Sequence, residues 1–267
     1  RELPLGKDGL FYTAYLLCLA GLLGVTITGD AFNIFVFLEI SSLSSYVLIS
    51  LGRQPMALTA AYRYLVLGTI GATFYLIGVG LLYQATGTLN IADLATRVAE
   101  LTESRSVRAA FAFMTVGIGI KLALFPLHIW LPNAYAYAPS VSSAFLAATA
   151  TKVSIYVLIR VFYTIFGPAF SFETLPLDWV LLPLAIIAMF VGSTIAIFQV
   201  DIKRMLAYSS VAQIGYMIVG VSLVSLLGMT GGLLHLFNHA LMKGVLFLAM
   251  GCVFSVSYTH LTLPTRS

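Results

Sequence analysis

Charge is what this sequence most lacks. Only 9% of its 267 residues are Asp, Glu, Lys or Arg, 60% are hydrophobic, and the mean hydropathy is +0.99. A chain so poor in charge cannot clothe a water-soluble globule, which excludes an ordinary soluble domain and leaves a polytopic membrane protein. The small net charge of +4 sits in loops on one side, so it reports orientation and gives no reason to expect nucleic acid as a partner. Cysteine is nearly missing: Cys18 and Cys252 stand alone in apolar stretches, without the clustered thiols of an iron–sulfur or zinc site, and are expected to be packing residues. No methionine opens the chain and no short cleavable signal follows Arg1, so the sequence reads as a fragment from the middle of a longer protein. No strand pattern precedes Gly68, Gly71, Gly78 and Gly80, or Gly228, Gly231 and Gly232, which excludes a phosphate loop and leaves close helix packing as their use.

What is present is a succession of eight apolar stretches, at 10–28, 31–51, 57–84, 107–131, 140–165, 177–199, 204–226 and 229–255. Each is long enough for a hydrocarbon core of ~30 Å, which takes about 20 helical residues. An all-α bundle of transmembrane helices follows. Assigning the loops to alternate sides puts Arg1, Lys7, Arg53, Lys203 and Arg204 together. Asp30, the charge-balanced segment 90–108, Glu173 and Asp178 fall on the other side. The positive-inside rule makes the first side cytoplasmic. Segment 90–108 has the apolar spacing of a short amphipathic helix lying at the interface. Residues 1–255 form the transmembrane domain; 256–267 break the apolar pattern with polar residues and a proline and read as a non-native tail, so His260 is set aside.

The fourth stretch stands apart. From near Val107 an apolar helix carries Lys121 well inside it, then meets Pro126 and Pro132 with His128 between them. Lys121 lies 13 residues past Arg108, or ~20 Å along a helix at about 1.5 Å per residue, too deep to snorkel with ease. An ammonium at mid-bilayer costs at least ~3 kcal/mol on insertion scales and normally faces a bundle interior or a wet cavity. Each proline removes a donor and frees carbonyls that protein or water must satisfy. The expectation is a broken membrane helix with a charge at the break, opening on a hydrated interior.

Setting aside loop and interface charges leaves Glu39 in the second stretch, Lys121 in the fourth, Lys152 in the fifth and Lys243 in the eighth. A lone carboxylate or a lone amine in such surroundings is driven neutral, whereas each favours the charged form of the other when they are close. Such a site responds to the arrival of a proton. The alternative is a structural ion pair, which suits one pair better than three lysines on three helices. His235, His239 and Lys243 are spaced four apart on one helix face, a stepping-stone pattern for protons. The two histidines offer a metal or haem site only weakly, because no further ligand accompanies them, and no metal or other cofactor is expected. His128 can serve the freed carbonyls, and Arg63, about six residues into the third stretch, can snorkel to the surface or gate proton uptake. Ser209, Ser210 and Gln213 leave room for a water path inward from Lys203 and Arg204.

Four runs carry a resemblance. Gly-Asp-Ala-Phe-Asn-Ile-Phe-Val-Phe-Leu-Glu ends at Glu39, and Lys-Leu-Ala-Leu-Phe-Pro-Leu-His-Ile-Trp-Leu-Pro-Asn-Ala-Tyr begins at Lys121. Asp-Ile-Lys-Arg-Met-Leu-Ala-Tyr-Ser-Ser-Val-Ala-Gln-Ile-Gly-Tyr-Met begins at Asp201, and Asn-His-Ala-Leu-Met-Lys-Gly-Val-Leu-Phe contains His239 and Lys243. From Gly21 to Cys252 the chain resembles the antiporter-like membrane subunits. That family unites large subunits of Mrp-type cation/proton antiporters with the proton-pumping subunits of complex I and membrane-bound hydrogenases. Within it, Ala-Tyr-Ala-Tyr-Ala-Pro-Ser-Val-Ser-Ser-Ala with Ala-Thr-Lys-Val-Ser-Ile-Tyr is most similar to the D-type component of the Mrp antiporters.

The resemblance implies two inverted repeats of five helices, each with one interrupted helix, in a subunit of about 14 helices. It implies that Glu39 and Lys121 are the paired carboxylate and lysine, Lys152 a bridging lysine, and His239 with Lys243 the central pair that passes protons on. The expected function is proton movement in a sodium/proton antiporter of a prokaryotic plasma membrane, with other subunits, lipid, protons and Na+ as partners. The alternative is a proton-pumping subunit of complex I or a hydrogenase. The opening helices, the second broken helix and its exit residue are missing from the sequence, so a complete path is not expected in this chain alone.

Overall fold

A computed structural model describes residues 6–261, with side chains to Val256. Arg1 and the final residues of the expected tail lie outside them. Among the described residues there is no strand, only an isolated bridge between Asp30 and Asn90. The helices are α1 (Asp8–Ile27), α2 (Ala31–Ser50), α3 (Met56–Thr86), α4 (Ile91–Glu100), α5 (Arg105–Leu122), α6 (Leu131–Tyr137), α7 (Ser140–Ile159), α8 (Asp178–Ile197), α9 (Ile202–Ser222) and α10 (Leu226–Leu261). α7 continues as a π-helical stretch, Arg160–Ile165, and a second such stretch covers Ala169–Thr174. α10 stays helical past Val256, where the sequence suggested a break.

Local chemistry sets these boundaries. Asp30 caps α2 by accepting from the Asn33 amide at 2.8 Å, Asn90 caps α4 through the Ala92 and Asp93 amides, and Asp201 caps α9 through the Arg204 amide at 2.8 Å. Gly87 ends α3 at φ +72°, a left-handed turn that costs glycine nothing. α4 is amphipathic, burying Ile91, Leu94 and Val98 while Asp93 and Arg97 pair on its outer side.

Seven of these helices are by themselves long and apolar enough to cross a membrane. The remaining expected stretch, the fourth, is the broken one, and the break falls earlier than the prolines alone suggest. α5 stops at Leu122, because Ala123 turns left-handed at φ +61°. The Ala123 amide donates to Ile120 O and the Leu124 amide to Gly119 O, the closing bonds of a Schellman turn. Lys121 is therefore not well inside a helix. It occupies the last turn of α5, where the negative end of the helix dipole favours a cation.

Glycines bring the helices close. α5 lies against α3 so tightly that a Cβ on Gly71 would come within 2.9 Å of Gly117 O, and α9 meets α10 at Gly220, where a Cβ would be 2.7 Å from Gly228 O. Gly80 and Gly231, in contrast, face open space and carry no such packing duty.

The connections alternate between two ends of the bundle. At one end Gly52 abuts the Tyr137 carbonyl and Lys203 donates to Ala138 O at 3.1 Å. At the other, Asp30 bridges Asn90, Arg160 donates to Thr28 O at 2.8 Å, and the Tyr163 hydroxyl donates to Val221 O at 2.7 Å. Between these ends lie the buried side chains of Lys121, Lys152, His239 and Lys243.

Candidate functional site

Glu39 is the ninth of the 20 residues of α2, so the helix places it halfway between the two ends. The end of α5 delivers Lys121 to the same level. Lys121 Nζ donates to Glu39 Oε1 at 2.8 Å and to Ser42 Oγ at 2.6 Å. The lysine side chain is 4% exposed and the carboxylate 21%. Ser42 follows Glu39 by three residues and shares its helix face, so one turn of α2 presents both acceptors to the ammonium. A second acceptor matters because a buried ion pair repays its desolvation only when its remaining hydrogen-bonding capacity is met.

The break that brings Lys121 here is itself satisfied by protein groups. The Trp130 indole donates to Ile120 O at 2.9 Å, a second bond to the carbonyl that already accepts from the Ala123 amide at the end of α5. Ser143 Oγ donates to Tyr135 O at 2.7 Å, and Lys203 reaches Ala138 O, so the far end of α6 is also tied down. Irregular backbone is tolerated at membrane depth when it is buried in protein in this way.

Lys152 is buried in α7. Its Nζ donates back to Ala147 O at 2.5 Å and to Thr151 Oγ1 at 3.3 Å. Lys243, buried in α10, donates to Leu206 O at 2.8 Å and to the Ser209 hydroxyl of α9. His239 is fully buried on α10 one turn before Lys243, α10 packs against the α7 helix that carries Lys152, and neither ring nitrogen of His239 makes a hydrogen bond. The His235 ring stacks on His239 at 6.0 Å between centroids and lies 5.8 Å from the Tyr216 ring. α7, α9 and α10 thus collect Lys152, His235, His239 and Lys243 in one basic group, separate from the Glu39–Lys121 pair.

Two candidates stand apart. His128 stacks on Phe125 at 5.1 Å, and its buried Nδ1 makes no hydrogen bond, so it does not serve the carbonyls freed by the prolines through that atom. Arg63 is exposed on α3. Sequence reasoning passed over Ser42 and Thr151, the hydroxyls that the lysines touch. Their signal was available: Ser42 shares a helix face with Glu39, and Thr151 adjoins Lys152.

In chemical terms, a carboxylate and an amine within one hydrogen bond can exchange a proton at low cost, and an unpartnered imidazole can accept on one nitrogen and release from the other. Such chemistry is available at two separate places, the pair on α2 and α5 and the basic group on α7 and α10.

The family described as NADH:quinone oxidoreductase/Mrp antiporter, TM, matches residues 28–262. The N component of the NADH-quinone oxidoreductase of Desulforudis audaxviator is 50% identical over 92% of this chain and 49% of its own length. The D component of the Na(+)/H(+) antiporter of Alkalihalophilus pseudofirmus is 37% identical over 93% of the chain and 50% of its own. A chain of the Mrp complex from a Dietzia species superposes with a TM-score of 0.81 at 33% identity, covering 90% of this chain and 44% of that one. The chain spans about half the length of the curated relatives it matches. With a matching family, relatives at this identity and the same helical architecture, the chain belongs to the membrane-subunit family shared by NADH:quinone oxidoreductases and Mrp antiporters.

Proposed function

We propose that this chain is the proton-handling half of a D-type component of a multisubunit sodium/proton antiporter in a prokaryotic plasma membrane, working beside other subunits. The observation that carries the reading is the buried Lys121 ammonium held between Glu39 and Ser42 at the end of a broken helix. Protons reach the pair along polar side chains, load it, and pass laterally to Lys152, His239 and Lys243. A proton arriving at one amine lowers the affinity of the next, because like charges close together in a low dielectric repel by several kcal/mol even at an effective dielectric constant of ~20. Successive sites therefore hand protons on.

A second reading has its own support. The relative at 50% identity is named a component of NADH-quinone oxidoreductase, so the same residues would move protons under redox drive supplied by partner subunits.

One experiment separates these readings. The full-length subunit is expressed with its native partners in everted vesicles of a host lacking its own antiporters, and dissipation of a respiration-driven pH gradient is followed on adding sodium. Sodium-dependent dissipation that Glu39→Ala and Lys121→Ala each abolish, in assembled complexes, is the expected result. A gradient generated from an electron donor, with no response to sodium, supports the redox reading. Unchanged behaviour in both variants removes the pair from the mechanism.

A further inference from the structure

The helix that carries Lys121 ends at a carbonyl with two donors. Ile120 O accepts from the Ala123 amide at 3.1 Å, which closes the turn, and from the Trp130 indole at 2.9 Å. One donor is enough to satisfy a buried carbonyl, so the end of α5 does not need the indole for its own pairing. What the indole holds is the peptide itself. The Ile120 carbonyl and the Lys121 nitrogen belong to one rigid plane, and a donor on that oxygen grips the plane from which the Lys121 side chain departs.

Trp130 is itself held from several sides. It stands just before α6, on the far side of the break, and its ring is buried. The ring lies flat on Tyr64 of α3, at 3.7 Å between centroids and 5°, and meets Tyr135 of α6 edge-on at 6.5 Å. Tyr64 in turn meets Tyr46 of α2 edge-on at 4.7 Å. Tyr46 follows Glu39 by seven residues, two turns along the same face of α2, and fits against α3 only because Gly68 has no Cβ to collide with its hydroxyl. This frame of rings therefore touches both partners of the ion pair. One end reaches the helix that carries Glu39 and Ser42; the other reaches the peptide that carries Lys121.

We infer that Trp130 is a positioning residue for the Glu39–Lys121 pair: its indole N–H, steadied by Tyr64, fixes the Ile120–Lys121 peptide so that the ammonium meets Glu39 and Ser42 together. Lys121 Nζ lies 2.8 Å from Glu39 Oε1 and 2.6 Å from Ser42 Oγ. Such bonds are lost beyond about 3.5 Å, so a drift of about 1 Å at the tip of the side chain breaks both. Misplacement on that scale costs a step that depends on geometry up to ~100-fold. The backbone bond to Ile120 O remains when the indole donor is taken away, so the position of Lys121 is separable from the fold around it. The inference rests on the proton-transport reading above and supplies what keeps its first site in register.

The test uses the full-length subunit in its native complex, in the same vesicles, under whichever drive, sodium or electron donor, moves protons in the wild type. Trp130→Phe removes the N–H together with part of the ring. Benzothienylalanine at position 130, with sulfur in place of the indole N–H, removes the donor and keeps the shape. Both are expected to lower proton flux ~10- to 100-fold in assembled complexes and to displace the pH profile of the flux, because the amine no longer meets its two acceptors. Tyr64→Leu, which takes away the flat face under the indole, is expected to act in the same direction. Tyr64→Phe keeps that face and is expected to stay within about threefold of wild type. A packing role orders the variants by volume, so wild-type flux with benzothienylalanine overturns the inference, whatever phenylalanine does. Lowered flux at an unchanged pH profile overturns it too. Either result leaves the transport reading intact so long as Glu39→Ala abolishes flux. Absence of any wild-type flux under either drive defeats the transport reading, and the positioning role with it.

Discussion

Glu39 and Lys121 meet across 82 positions of sequence, but the two ends of the ion pair are unequally sheltered, the ammonium being 4% exposed and the carboxylate 21%. Removing one partner of a buried pair is costly because the other charge is stranded, by about 3–5 kcal/mol where burial is complete. Glu39→Gln strands the deeper charge and is expected to destabilise the assembled protein more than Lys121→Met, which leaves a carboxylate with some access to solvent. The double variant is expected to be more stable than Glu39→Gln alone. Unfolding midpoints in one detergent, compared as a double-mutant cycle, check this; additive single effects would mean the pair is not coupled.

Ser42 gives a finer prediction. Its hydroxyl is the second acceptor of the Lys121 ammonium, at 2.6 Å, and hydrogen bonds to charged groups contribute about 1.5–3 kcal/mol. Ser42→Ala is expected to lower both stability and proton flux, and Ser42→Thr, which keeps the oxygen, to retain most of both. Flux in the alanine variant equal to that of wild type would remove Ser42 from the site.

The bundle was legible in the sequence because lipid imposes one rule, runs of about 20 apolar residues separated by polar turns, and the side-chain composition records it directly. The buried lysines were legible for the same reason, since a cation in such a run stands out. The position of the break was not. It depends on Ala123 adopting a left-handed conformation, for which alanine carries no signal, whereas the visible markers Pro126 and Pro132 lie further on. Ser42 and Thr151 were half legible: their places beside Glu39 and Lys152 could be read from helix spacing, but the fold alone shows that Ser42 meets the amine of Lys121.

α4 lies outside the spanning helices and supplies a pH prediction. Asp93 accepts from Arg97 at 3.1 Å and is within reach of Thr88, and these bonds hold its carboxyl below the usual value. A depressed folded-state value means that the stabilising contribution is complete above the ordinary carboxylate pKa of about 3.9 and is lost as pH falls through the lower folded value. Amide exchange in α4, corrected for the intrinsic pH dependence, is therefore expected to be flat near neutrality and to quicken only in strong acid. Asp93→Asn should abolish that acid-induced quickening. An onset near neutral pH would assign the effect to another group.

Ala123 makes the break in a left-handed conformation that opposes the residue it carries, as Val224 does after α9. A left-handed turn costs an L-residue with a Cβ roughly 1–2 kcal/mol, a cost that glycine escapes. The two amides that close the turn, of Ala123 and Leu124, need only the backbone, so Ala123→Gly leaves Lys121 where it is. It is expected to raise stability by about 1 kcal/mol or less, since glycine also gains freedom in the unfolded chain, and to preserve proton flux. Ala123→Val, with branching at Cβ, is expected to destabilise the turn and displace Lys121 from Glu39, lowering flux along with the unfolding midpoint. Paired measurement of midpoint and flux checks both. Equal tolerance of valine and glycine would show that the helix does not end in a left-handed turn at this residue, and the placement of Lys121 in the last turn of α5 would then need another cause.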